Sequence, residues 1–251
     1  MRGTGFRTLT ILLLPGLLSS GPALAQQTAP ASIVPAINLT LHAGPSTVAA
    51  EALLDPEARA WEQSSARRVA LNRTPPLYDT DTPAELEIPE VEVRAARASG
   101  KLLVHLQWQD RTQDFAALAR PPTAPPEQRD LKEHSAATNR FFDAAAVMLP
   151  SRPSGGTLSP SLQMGDPAQP VTIYYWNAVR GAMLMEARGR GTTRRTGQSF
   201  AARGVYRAGA WHVTFELPEL SPGVPVSFAL WNGSQQDRDG RKYFSVWHWL
   251  D

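Results

Sequence analysis

Residues 90–109 read Glu90-Val91-Glu92-Val93-Arg94-Ala95-Ala96-Arg97-Ala98-Ser99-Gly100-Lys101-Leu102-Leu103-Val104-His105-Leu106-Gln107-Trp108-Gln109. Val91, Val93 and Ala95 alternate with charged residues, and Leu102, Val104, Leu106 and Trp108 alternate back. A period of two marks a strand with one dry face, and Ser99-Gly100 between the runs supplies the turn of a β-hairpin. Trp211, Val213, Phe215 and Leu217 repeat the alternation. Further strands are expected over 33–41, 171–178, 182–187, 200–206, 226–231 and 243–250. Residues 141–149 are apolar and fit a buried strand, although their alanines would also suit a helix. Asp55-Pro56-Glu57 reads as an N-cap followed by proline in the first turn, predicting a short helix over 56–63 that carries Trp61. Four prolines in 120–127 exclude regular structure there. Many short strands, 22 prolines and 18 glycines predict an all-β fold, an antiparallel β-sandwich with long loops and a few short helices.

The first 25 residues are expected to form a secretory signal peptide. Arg2 and Arg7 precede an apolar run over 11–18, and Ala23-Leu24-Ala25 offers a small-residue cleavage pattern. The run is shorter than the roughly 20 residues that span a bilayer. Residues 26–251 are then the single mature domain, with no membrane span, exported and soluble in the periplasm. The leader holds two of the 25 basic residues and none of the 23 acidic ones, so the mature chain carries 23 of each. The precursor's pI near 9.1 therefore gives no support to a nucleic-acid role. The absence of cysteine excludes disulfides, iron–sulfur ligation, thiolate zinc sites and covalent haem attachment.

Two segments carry the chemistry. Met164-Gly165-Asp166-Pro167 leads into Pro170-Val171-Thr172-Ile173-Tyr174-Tyr175-Trp176. Trp231-Asn232-Gly233-Ser234 is followed by Asp239-Gly240-Arg241-Lys242-Tyr243-Phe244 and Trp247-His248-Trp249-Leu250. Met164 offers a thioether and Lys242 an amine, each in a glycine-marked turn beside aromatic strands. A thioether is a common axial ligand in electron carriers because it favours ferrous iron. An amine must first lose its proton, so burial and the metal together have to lower its pKa. On position alone Met164 could equally be a core plug and Lys242 a solvated loop residue. The chain has only three lysines (Lys101, Lys132, Lys242) against 22 arginines, and arginine could not deprotonate at such a place.

Taken in order, these segments resemble the haem b-binding γ subunits of periplasmic molybdenum enzymes, the ethylbenzene and dimethylsulfide dehydrogenase, selenate and chlorate reductase group. Supporting matches are Val93-Arg94-Ala95, Leu106-Gln107-Trp108-Gln109-Asp110 and Phe142-Asp143-Ala144-Ala145-Ala146-Val147. The likeness runs over most of 53–250. It departs at Asn177, where many relatives carry lysine, and at the arginine-rich stretch Arg188 to Arg195. The resemblance implies one non-covalent haem b with Met164 and Lys242 as axial iron ligands. It also implies a non-catalytic electron-transfer subunit, relaying electrons between a molybdopterin catalytic subunit with its iron–sulfur subunit and a soluble c-type cytochrome. Tyr174, Trp176, Phe244 and Trp247 are candidates to line the porphyrin, and Arg238 and Arg241 to meet its propionates.

Other readings stay open at the level of sequence. His248 is a rival ligand for Lys242, while His105 and His212 fall on polar strand phases where exposure is expected. The run Arg188, Arg190, Arg194, Arg195 reads as a mobile loop or as a contact for an acidic redox partner. No hydrolase elbow or phosphate loop occurs. A secreted carbohydrate- or ligand-binding β-sandwich without haem is the alternative function.

Overall fold

The computed structural model describes residues 38–74, 86–115, 117–118, 140–152 and 159–251. The signal-peptide expectation, the first part of the strand expected over 33–41 and the proline stretch over 120–127 lie outside these residues. All described residues belong to one compact unit.

The expected hairpin is present as Glu90–Ala98 and Lys101–Gln109. Ser99 and Gly100 sit at φ 52° and 68°, the left-handed pair that a two-residue turn needs to match strand twist. Onto this hairpin the sheet adds Ala210–Pro218 and then Ala202–Arg207 on one side. On the other side Arg67–Ala70 pairs antiparallel and Ala43–Pro45 pairs parallel with Glu90–Ala98. The second, larger sheet runs in the order Thr40–Leu41, His248–Leu250, Val224–Trp231, Ala144–Pro150, Val171–Asn177, Gly181–Ala187, Arg194–Arg195. Tyr243–Phe244 also pairs with Val224–Trp231, and Asn72–Arg73 pairs with Tyr243–Phe244. Ala117–Leu118 and Arg140–Phe141 form a separate two-stranded ribbon. The result is the all-β sandwich, antiparallel apart from two short parallel pairings.

Between the sheets the inward phases interdigitate. Val93, Val104, Leu106, Val213 and Phe215 of one sheet meet Val147, Leu149, Tyr174, Trp176, Phe228 and Leu230 of the other. Trp176 packs edge-on to Trp211 at 5.2 Å, and Trp108 stacks on Trp211 at 6.3 Å. Gly204 faces this stack, where a Cβ would overlap the Trp176 ring.

Three expectations need correction. The helix predicted over 56–63 is instead a 3-10 helix, Arg59–Gln63, and the α-helix is Ala50–Leu53 just before it. Asp55 Oδ1 accepts from the amide of Glu57, making a tight turn rather than a helix cap. His105 is 3 % exposed, not solvated, because these short helices cover the outer face of the hairpin and stack Trp61 on its ring at 5.2 Å. The strand expected over 243–250 is two strands, interrupted where Ser245 bonds back to Phe228. Residues 141–149 resolve as the strand Ala144–Pro150. Among the described residues no helix is long and apolar enough to cross a membrane.

Gly204→Ala should cost about 1–3 kcal/mol in chemical denaturation, because the Trp176 ring is buried and cannot swing aside. Gly44→Ala, which meets nothing within 4 Å, should stay within about 0.5 kcal/mol of wild type.

Candidate functional site

The larger sheet is apolar on its outer face as well as its inner one. Ala144, Ala146 and Met148, Val171 and Ile173, Ala187 and Trp231 alternate outward, yet all are buried. Residues Leu162 and Met164 and the indole of Trp247 lie over them. Trp247 Nε1 donates to the Pro160 carbonyl at 2.7 Å, tying the two covering segments together.

Met164 is held by its turn. Gly165 N donates to Ser161 O and Gly189 N to Met164 O, both at 2.8 Å. Asp166 Oδ1 accepts from the amides of Ala168 and Gln169, closing the Asp-Pro turn. Met164 itself sits at φ 73° and Gly165 at φ 71°, where a Cβ on Gly165 would come within 2.6 Å of Gln169 O. A left-handed methionine costs about 1–2 kcal/mol. The two backbone bonds, each worth about 1 kcal/mol, offset that.

Lys242 leaves a turn built on a buried ion pair. Arg73 donates to both carboxylate oxygens of Asp237, at 2.5 and 2.8 Å, and to Gln235 Oε1 at 2.8 Å. Asn232 N also donates to Asp237. Trp231 Nε1 donates to Asp239 O, and Thr74 clamps the Lys242 carbonyl through its amide and hydroxyl.

These two supports bring the tips together. Lys242 Nζ lies 3.2 Å from Met164 Sδ and 5.4 Å from the centre of the Trp231 ring. Among the described residues Lys242 has no carboxylate within ion-pair distance. Burial lowers its pKa to about 8, with the charge of Arg190 acting in the same direction and that of Asp239 against it. Tyr175 packs edge-on to Trp231 at 5.2 Å and is pushed up to about 12 by burial.

A soft thioether facing an amine that gives up its proton more easily than usual, over an apolar floor, is a donor set suited to a low-spin haem iron. Among the described residues no cluster of three His, Asp or Glu side chains could hold a metal instead.

Tyr174 and Trp176 do not line this face. They point into the core between the sheets, and the strand's opposite phase presents Tyr175. Trp247 covers the face, and Phe244 is paired opposite Ala229, which belongs to it. His248 points inward, its Nδ1 accepting from Leu39 N and its ring against Phe228. Arg238 lies over the Phe141 ring and Arg241 is 3.9 Å from Asp237, while the guanidinium that acts on Lys242 is that of Arg190.

Sequence reasoning missed the acidic end of the sandwich. Asp143 is fully buried and accepts from Asp114 N, Trp211 Nε1 and Gly233 N. Asp110, 5 % exposed, accepts from Thr112 N through one oxygen, while its other oxygen has no partner among the described residues. It borders a cavity of about 260 Å³ with Glu87, Arg111 and Asn232. Burial, then the Asp143 charge, raises the Asp110 pKa to about 7.

The profile of the ethylbenzene dehydrogenase family matches residues 58–218. A Haloferax mediterranei protein named as a respiratory nitrate reductase heme subunit is 27 % identical over 98 % of this chain and 82 % of its own. The chlorate reductase γ subunit of Ideonella dechloratans is 27 % identical over 77 % of each chain. The dimethylsulfide dehydrogenase γ subunit of Rhodovulum sulfidophilum is 30 % identical over 78 % of this chain and 73 % of its own. The fold is a β-sandwich module whose larger sheet carries a thioether–amine pair on its buried outer face. The chain belongs to the ethylbenzene dehydrogenase family, that of the molybdoenzyme γ subunits.

Two expectations test the supports. Arg73→Ala removes the main counter-charge of the buried Asp237 carboxylate, leaving the Asn232 amide and the more distant Arg241, and should destabilise the protein by about 3–5 kcal/mol in urea titration. Asp110 has a folded pKa above its ordinary 3.8, so its contribution is present below about pH 4 and lost as pH rises through about 7. Asp110→Asn should therefore match wild type near pH 4 and be the more stable by pH 8, by an amount on the order of 4 kcal/mol.

Proposed function

We propose that this chain is the haem-binding electron-transfer subunit of a molybdenum enzyme complex, with Met164 and Lys242 as axial ligands of one non-covalent haem b. The observation that carries the reading is the meeting of Met164 Sδ and Lys242 Nζ at 3.2 Å against the buried outer face of the larger sheet. Family membership and the heme-subunit and γ-subunit names of the relatives support it.

When bound, the haem supplies a one-electron iron couple, and the chain sets its conditions. Met164 offers sulfur, which favours the ferrous state and raises the potential. Lys242 offers nitrogen once its ammonium proton leaves, a loss that burial and Arg190 make easier. Were Met164 and Lys242 both to hold the iron, neither oxygen nor a substrate would reach it, and the subunit would do no bond chemistry. Ala144 and Ala146 keep the floor low, and Trp231 and Trp247 exclude water at its sides.

In this reading residues 1–25 are the leader that sends the chain to the periplasm. There it would receive or deliver electrons through the iron–sulfur subunit of a molybdopterin enzyme and exchange them with a soluble c-type cytochrome. Protein purified from a haem-sufficient periplasm should show a Soret band and sharp α/β bands on reduction. Met164→Ala should lower the reduction potential and change the spectrum. Lys242→Ala should weaken haem retention by more than about tenfold, the low end of what even supporting residues cost metal sites. Both variants keeping the wild-type spectrum and potential would refute the ligand assignment.

A further inference from the structure

One free edge of each sheet lies on the same side of the sandwich, where Gly181–Ala187 neighbours Ala202–Arg207. Gly181–Ala187 and Arg194–Arg195 end the larger sheet, and Ala202–Arg207 ends the smaller one. Between Asn177 and Phe215 the sequence places seven of the chain's 25 basic residues, all arginine, and only one of its 23 acidic ones, Glu186. The remainder of the chain holds 18 basic and 22 acidic residues, so the positive charge is concentrated here against an otherwise acidic molecule. All seven guanidinium-bearing residues are exposed.

Little of that charge is neutralised. Arg194 reaches Glu186 at 3.3 Å, and Arg207 reaches Glu57 at 2.7 Å, both pairs largely solvated and so of small energetic worth. Arg195 donates to the sulfur of Met183. Arg180, Arg188, Arg190 and Arg203 have no ion pair among the described residues. Charged side chains also blunt an edge strand against self-association.

The edge is also continuous with the donor pair. Gly189, between Arg188 and Arg190, donates its amide to the Met164 carbonyl at 2.8 Å. Arg190 reaches across to Gly240 in the Lys242 turn, 3.8 Å from where a Cβ there would stand. Positive charge beside an electron-transfer site steers encounters with anionic surfaces and orients them at the site. Arginine suits this better than lysine because its planar fork binds carboxylates in pairs.

We propose that this arginine edge is the docking surface for an acidic one-electron carrier protein, which exchanges its electron with the Met164–Lys242 centre. The proposal rests on the haem reading above. One electron passes from the reduced centre of the carrier to ferric iron, or back, and no proton or bond changes place.

The test uses the haem-loaded protein and the triple variant R188Q/R194Q/R195Q, which leaves Arg190 and both ligands in place. Reduced plant-type ferredoxin serves as the acidic probe and equine cytochrome c as the basic one, each mixed by stopped flow at rising ionic strength. Wild type should react with ferredoxin at a rate that falls steeply with salt. In the variant that rate should drop by about tenfold or more at low salt and lose most of its salt dependence. The cytochrome c rate should hold or rise. Ferredoxin kinetics identical to wild type, with the Soret band intact, would overturn the proposal, as would self-association of the variant with unchanged kinetics, since the arginines would then only protect the edge. Should the triple variant fold poorly, R188Q alone carries the same expectation at smaller size. A protein without a Soret band would end the haem reading itself, a result separate from any change in rate.

Discussion

Ala144, Ala146, Met148, Val171 and Ile173 turn away from the core between the sheets, and all five are still buried. A sandwich sheet ordinarily gives its outward phase to water. This one cannot, so something must cover it, and among the described residues the cover consists of loop segments. The Leu162–Met164 segment and Trp247 both lie on it, joined by the bond from Trp247 to the Pro160 carbonyl. The Lys242 turn is brought in by strand pairing: Tyr243–Phe244 pairs with Val224–Trp231, which fixes where the preceding residue must stand. Two side-chain tips meet because two covers share one apolar floor.

Such a cover has to be stiff if it is to present donors in one geometry. On the Met164 side stiffness comes from consecutive left-handed residues locked by the Asp166 turn and by Gly189. On the Lys242 side it comes from Arg73 and Asp237, a pair with almost no solvent contact. Replacing a buried pair by apolar residues is often neutral for stability. Here its geometry does something an apolar pair could not. Arg73 bridges the strand Asn72–Arg73 to the turn through Asp237 and Gln235, and packs 4.5 Å over the Tyr243 ring. The turn's position is thereby tied to the sheet rather than left to loop entropy.

Period-two alternation made the hairpin over 90–109 and the strand through Trp211 legible from sequence, because each has one dry face whose phase is unambiguous. The same logic misassigned the site's aromatics. Val171 to Trp176 is apolar on both phases, so alternation could not say whether Tyr174 or Tyr175 faces out. Register with Ala144–Pro150 decides for Tyr175. The unbroken apolar run over 144–149 was itself the available signal that this sheet is covered on both sides. His105 failed for a related reason. Its strand phase is outward, but the outer face lies under Trp61, a contact across 44 residues of chain that no local pattern encodes. The Asp110–Asp143 end was visible only as two motif fragments, since neither spacing nor alternation shows that the two carboxylates are buried near enough to feel each other's charge.

Lys242 remains the residue whose surroundings fit its bland role least. An ammonium prefers water or a carboxylate, and here it has a thioether at 3.2 Å and an indole face at 5.4 Å. The nearest opposing charge, Asp239, is outweighed by burial and by Arg190. A solvated loop lysine would show none of this, and a lysine kept for packing could be a methionine or leucine at lower electrostatic cost. Local conflict of this kind, where neighbours disfavour the group's ordinary charge state, is expected where the altered state is the one put to use. In the proposed haem site an amine relieved of its proton would offer a free electron pair, and Met164 Sδ, to which Nζ now donates, would be the soft donor beside it. Arginine could not provide that pair, which gives a physical reason for a chain that otherwise builds its cations from arginine to place a lysine at this one turn.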